Sequence, residues 1–263
     1  MNKIILQGIM YDDKSSFLKG PALAPQKIRE HYRSPSANYF AENGLEIAPD
    51  IFDDKGDFQI SSYFDIEEIT SKNINGKNSI LTLGGDHSIS YPVIKAFQKV
   101  HGTVDVIHID AHADLYDSFE GDPYSHACPF ARIMEEKLVN RLIQIGIRTF
   151  SKHQREQAKK FGVEVIEMNG LHKLESLELN NPVYISLDMD ALDPAYAPGV
   201  SHYEPGGLST REVLSIIQSI PVPIPGADIV EYNPTRDIND MTGMVCAKFL
   251  KEIASKMIEN NPQ

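Results

Sequence analysis

Short apolar runs recur along the chain with room for a helix between most of them. Ile4–Leu6, Ser79–Leu83, Val104–Ile109, Leu142–Ile147, Val163–Ile166, Val183–Leu187 and Ala227–Val230 read as strands. Their apolar character is continuous rather than alternating, which suits strands covered on both faces. Helical patterns fall at Ile89–Val100, Lys152–Phe161, Ser209–Ile220 and Met244–Glu259. The third opens with Ser209 and Glu212 at capping-box spacing. This alternation predicts an α/β fold with a parallel sheet and helices on both faces, as a single domain over residues 1–263. Ligands in such sheets sit beyond the carboxyl ends of the strands. The residues just after each apolar run are therefore the ones that matter.

Those residues are rich in carboxylates and imidazoles. Gly84-Gly85-Asp86-His87-Ser88 follows the second run, and Asp110-Ala111-His112-Ala113-Asp114 follows the third. Asp188-Met189-Asp190, then Asp193-Pro194, follow the sixth, and Glu231 follows the seventh. In extended backbone, residues two apart project to the same side. Asp110, His112 and Asp114 can converge, and so can Asp188 and Asp190. Parallel strands are about 4.8 Å apart, so six such groups fit one small volume. Unpaired carboxylates crowded there would repel one another and resist burial. Divalent cations remove the conflict, and this many ligands suit two metals with bridging carboxylates. An oxygen-rich set with two imidazoles and no thiolate favours Mn²⁺ over structural Zn²⁺. Gly84 and Gly85 fit a tight strand exit better than a phosphate cradle. Asp86 either supports a ligand or caps the next helix. Cys128 reads as a small buried hydrophobe rather than a nucleophile.

Charge narrows the partners. Acidic residues number 37 against 25 basic ones, for a formal net charge of −12. That argues against nucleic acid or an anionic membrane, which need a basic surface, and is compatible with a cationic substrate. Cys128 and Cys246 are the two cysteines, so no disulfide framework is expected. The N-terminal apolar run is too short for a signal peptide, and no window approaches the roughly 18 apolar residues of a membrane helix. The expected address is the cytoplasm.

The three motifs together resemble those of the ureohydrolase family, which comprises arginases, agmatinases and their relatives. They are Gly84–Ser88, Asp110–Asp114 and Ser186-Leu187-Asp188-Met189-Asp190-Ala191-Leu192-Asp193-Pro194, in the family's order. Weaker similarity covers nearly the whole chain, including Gly20-Pro21 through Arg29 and Glu231-Tyr232-Asn233-Pro234. The resemblance implies a three-layer α-β-α fold around a mostly parallel eight-stranded sheet, with a two-manganese centre. It implies that His87, Asp110, Asp114 and Asp188 hold one Mn²⁺, and Asp110, His112, Asp188 and Asp190 the other. Asp110 and Asp188 would bridge. Glu231 falls at the position that binds a substrate guanidinium, His126 at that of a proton-shuttling histidine, and Asp193 at a supporting position. The implied reaction releases urea and an amine from a small guanidino substrate, in a homo-oligomer of three or six chains.

For the substrate, the stretch from Asp114 to His126 is expected to wall the site. It carries Asp117, Glu120 and Asp122 but no Lys or Arg. A carboxylate would be poorly received there without a basic or hydroxyl clamp, so agmatine, cleaved to putrescine and urea, is the expected substrate. Arginine, guanidinobutyrate, guanidinopropionate and formiminoglutamate are alternatives, and the last would need basic residues such as Arg132 or Arg148. A non-catalytic metal-binding homologue is the reading of a different class. Gly199-Val200-Ser201-His202-Tyr203-Glu204 departs from the Gly-Thr-Gly-Thr run common in agmatinases, and Ala127-Cys128 replaces the commoner Gly-Thr after His126.

Overall fold

Eight strands form one sheet in a computed structural model that describes residues 3–260 apart from 75 and 77. In chain order they are β1 (Ile4–Met10), β2 (Phe52–Gln59), β3 (Ile80–Leu83), β4 (Asp105–Ile109), β5 (Arg141–Ile147), β6 (Glu164–Glu167), β7 (Val183–Asp188) and β8 (Gly226–Val230). Every pairing is parallel, in the spatial order β2-β1-β3-β8-β7-β4-β5-β6. A wholly parallel sheet puts all its carboxyl ends on one edge. The strands that precede the four acidic motifs, β3, β8, β7 and β4, stand side by side at its centre.

Among the described residues seven α-helices cover the sheet: α1 (Ala24–Tyr32), α2 (Asp65–Asn73), α3 (Ser90–His101), α4 (Pro129–Glu135), α5 (Lys152–Phe161), α6 (Thr210–Ser219) and α7 (Met241–Glu259). Helices α1, α6 and α7 share one core, with Ile107, Ile109 and Leu187 from the sheet. The other core joins α2 to α5 with Val106, Leu142 and Tyr184. Consecutive residues of β4 thus point into opposite layers, which is why the strands carry unbroken apolar runs. The expected three-layer α-β-α architecture is present. Among the described residues no helix is long and apolar enough to cross a membrane.

The seven strands read from the sequence are all there, but β2, α1, α2 and α4 carry no such signal. The sequence of β2, Phe-Asp-Asp-Lys-Gly-Asp-Phe-Gln, is polar because it lies at the sheet edge, where charge discourages further pairing. Helix α1 buries Arg29 and His31 alongside Ile28, which breaks its apolar stripe. Arg29 is admitted because it meets Asp54 and Asp57 of β2 at 2.7 Å each. Replacing Arg29 with Ala should lower unfolding free energy by about 2–3 kcal/mol, less than for a fully dry pair because both aspartates keep some water contact. Denaturant titration reads this, and an unchanged midpoint would show that the cluster does not hold α1 to the edge.

Candidate metal centre

At the end of β3 the chain turns so tightly that a Cβ on Gly85 would stand 1.7 Å from the carbonyl oxygen of Tyr11. Only glycine permits that approach. The turn is fixed on both sides, since Asp86 N–H donates to Tyr11 O and Glu231 N–H donates to Gly85 O, each at 2.9 Å. Of the two roles its position allowed, Asp86 takes the cap. One oxygen caps the next turn by accepting Ser88 N–H at 3.0 Å, and the other accepts the N–H of Lys14 at 3.0 Å.

His87 is the best test of what the site holds. Its Nε2 lies 3.0 Å from Ser186 Oγ, and that hydroxyl donates to Asp228 at 2.7 Å. Ser186 is therefore an acceptor for Nε2–H, and Nδ1 is left with a lone pair. Nδ1 is buried and makes no directed hydrogen bond, yet lies 3.2, 3.2 and 3.0 Å from oxygens of Asp110, Asp114 and Asp188. Three carboxylates around one ring nitrogen call for positive charge at that point, which a bound metal ion, or in its absence a proton on Nδ1, supplies. The same demand appears in ionisation. Burial opposes charge on His87, but the three carboxylates outweigh it and hold its pKa well above the ordinary value. Burial, with the charges of Asp190 and Asp110, pushes the Asp188 carboxyl well up.

A second cluster adjoins the first. His112 Nδ1 lies 3.0 Å from Asp190 and 3.5 Å from Asp110. Asp110, His112 and Asp190 are close enough to hold one ion, and Asp110 belongs to both groups. The residues fit a pair of cations sharing carboxylates. His87, Asp110, His112, Asp114, Asp188 and Asp190 are all brought together, with Asp114 in left-handed backbone at φ 50°.

One participant went unread in the sequence. His108 could itself belong to the first metal-binding group by distance. Its hydrogen bonds argue otherwise. The Gln144 amide donates to Ala113 O at 2.6 Å and lies 3.0 Å from His108 Nδ1, so Nδ1 accepts and Nε2 carries the proton. His108 Nε2 then donates to Asp110 at 2.7 Å and orients it. The signal was available. His108 interrupts an apolar strand two residues before Asp110, hence on the same face.

Above the carboxylates is a cavity of about 500 Å³, lined by His112, Asp114, Asp188, Asp190, His126, His202 and Glu231 among others. His126 Nδ1 donates to Glu231 Oε1 at 2.9 Å, and the same oxygen accepts the His87 N–H at 2.9 Å. Burial disfavours a charged His126, but Glu231 more than compensates and pushes its pKa up to about 9. Burial would raise the Glu231 carboxyl, but the His126 bond and charge hold it below its ordinary value. Glu231 sits at φ 62°, a conformation that costs a β-carbon-bearing residue about 1 kcal/mol.

The acidic stretch behaves differently from expectation. Asp117 pairs with His153 at 3.1 Å, Asp122 with Lys14 at 2.6 Å, and Glu120 stands at an exposed turn. Tyr116 and Phe119, not these acids, reach the cavity. Asp193 does not join the cluster but accepts the N–H groups of Ala195, Gly206 and Gly207. The Arg148 guanidinium donates to the carbonyls of Asp190, Ala191, Leu192 and Glu204, tying the exit of β7 to the segment after His202. Burial pushes the Cys128 thiol up to about 12, which leaves it inert.

Comparison with known proteins places this architecture. The Arginase family model matches residues 2–255. Arginase 2, chloroplastic/mitochondrial, of Arabidopsis thaliana is 47% identical over 96% of this chain and 80% of its own length. An agmatinase of Bacillus cereus is 32% identical over 96% of this chain and 91% of its own. The structure of arginase from Medicago truncatula superposes with a TM-score of 0.90 at 42% identity, covering 97% of this chain and 87% of that one. A family model spanning nearly the whole chain, with relatives that match it over almost its full length, leads to one conclusion: the chain belongs to the arginase family, the ureohydrolases.

Proposed function

We propose that the protein is a two-manganese hydrolase that releases urea from a linear guanidino substrate, with arginine ahead of agmatine. The observation that carries the metal assignment is His87 Nδ1, buried without a hydrogen bond and facing three carboxylates. In this reading His87, Asp110, Asp114 and Asp188 hold one Mn²⁺, and Asp110, His112, Asp188 and Asp190 the other. Bound together, two such ions would supply a strongly acidified water near neutral pH. Glu231, kept ionised, receives the guanidinium through charge-assisted hydrogen bonds. His126, hydrogen-bonded to that same carboxylate, provides the proton for the leaving amine.

Three observations move the substrate from agmatine toward arginine. None of the acids that would repel a carboxylate lines the cavity, and Asp122 is paired with Lys14. The rim carries Thr149 and Ser151 together with Gln154, at the amino end of α5, where hydroxyls and helix N–H groups suit an anion. Relatives at 46–49% identity are named arginases. Agmatine stands second, supported by the agmatinases at 32%. Formiminoglutamate loses its candidate partners, since Arg148 is engaged by carbonyls and Arg132 by Asp117 O, Pro123 O and Glu135. The cytoplasmic address and the assembly of three or six chains belong to the same proposal.

Elemental analysis of active protein should find close to two Mn²⁺ per chain, with activity lost on chelation and regained on Mn²⁺ addition. One metal or none would end the two-metal reading. Asp110→Asn and Asp188→Asn should each release at least one ion. His126→Asn should keep both ions and turn over about 10²-fold more slowly, and Glu231→Gln should keep both while kcat/KM falls by at least about 10²-fold. Loss of metal from the His126 or Glu231 variant would reassign that residue. In competition kinetics arginine should exceed agmatine in kcat/KM, and neutralising Asp117, Glu120 and Asp122 together should leave the ratio within about two-fold, because paired or outward charges are screened over a Debye length of roughly 8–10 Å. Agmatine preferred, with the preference lost on neutralisation, would restore the acidic-wall explanation.

A further inference from the structure

Ser16, in the loop after β1, touches His126 twice. Its backbone N–H donates to Nε2 at 3.2 Å, and its Oγ lies 2.8 Å from the same nitrogen. The other ring nitrogen faces Glu231 Oε1 at 2.9 Å. An ionised carboxylate only accepts and a backbone N–H only donates, so in the neutral ring the proton is on Nδ1 and Nε2 presents a lone pair to Ser16. Nε2 is therefore the nitrogen from which a proton can be delivered. Once Nε2 is protonated it becomes a donor, the Ser16 N–H ceases to be a partner, and the Ser16 hydroxyl is the acceptor in reach.

The loop is held for this contact. Asp86 accepts the Lys14 N–H at 3.0 Å and the Ser15 hydroxyl at 3.3 Å, and Lys14 O accepts the His126 N–H at 3.2 Å. Ser16 and His126 both line the cavity. We propose that the Ser16 hydroxyl relays the proton from His126 Nε2 to the leaving amine. This deepens, and rests on, the reading of the site as a guanidino hydrolase. In the step, Nε2–H breaks as Ser16 Oγ takes that proton, and Ser16 gives its own hydroxyl proton to the amine nitrogen. The bond from that nitrogen to the central carbon breaks with its electron pair staying on nitrogen. The hydroxyl is regenerated, His126 returns to neutral imidazole, and the proton on Nε2 is replaced from solvent.

Ser16→Ala keeps the backbone N–H that orients the ring and removes only the relay. With Mn²⁺-loaded protein and arginine, its kcat should fall about 10- to 100-fold, the lower range of general acid–base effects, with KM and metal content unchanged, and Ser16→Thr should recover most of the loss. In Zn²⁺-loaded protein, the ¹⁵N resonance of His126 Nε2, assigned with His126→Asn, should move in Ser16→Ala and return in Ser16→Thr. A Ser16→Ala kcat within two-fold of the parent, a loss accompanied by metal release or a risen KM, or an unmoved Nε2 resonance would each overturn the relay. A parent protein that releases no urea from any guanidino compound would remove the underlying reading and the relay with it, whereas an active parent with an unimpaired Ser16→Ala removes the relay alone.

Discussion

The mutual repulsion of buried carboxylates governs how this molecule is built. Asp110, Asp114, Asp188 and Asp190 converge below one cavity, with Glu231 and Asp86 close by, all of them buried. Removing even one carboxylate charge from water costs several kcal/mol unless something positive or a hydrogen-bond donor replaces the solvent. The protein answers with donors wherever its own backbone can reach. Asp110 accepts the His112 N–H, Asp188 accepts the Asp190 N–H, and Asp86 accepts those of Ser88 and Lys14. What the backbone cannot satisfy is the space before His87 Nδ1, where lone pairs meet lone pairs. The site is stable in proportion to the positive charge placed there.

Much of the surrounding structure serves to hold that unfavourable arrangement in register. The parallel sheet aligns four strand exits, Gly85 lets one exit pass within contact of Tyr11, and Asp114 and Glu231 accept left-handed backbone to turn their carboxylates inward. Strain of this kind persists only where neighbours over-determine the conformation. Here they do, since the Glu231 N–H and carboxylate are both engaged across the β3 exit.

The convergence of Asp and His side chains was legible in the sequence because its geometry is carried by local spacing. Asp-x-His-x-Asp and Asp-x-Asp place their side chains on one face by backbone periodicity alone, and buried parallel strands announce themselves by apolar continuity. The elements that stayed hidden have their logic in long-range pairing. Arg29 is buried because of Asp54 and Asp57, and β2 looks like a loop because its partners lie on one side only. The acidic stretch misled for the same reason. Asp122 is neutralised by Lys14, more than a hundred residues away along the chain, and Asp117 lies 3.1 Å from the His153 ring; no composition of the segment itself could reveal that. His108 lies inside an apolar run rather than after it, so the pattern of strand-end residues does not include it.

Arg148 recognises its surroundings through main-chain oxygens alone, at Asp190, Ala191, Leu192 and Glu204. Main-chain oxygens are the same whatever amino acid bears them. The strap that fixes the cavity-lining segment against the carboxylate-bearing turn is therefore indifferent to the identity of the residues between, His202 included. Such a tie lets a lineage exchange the groups that meet the tail of a substrate while the machinery beneath keeps its shape, so selectivity can drift on a chemically constant base.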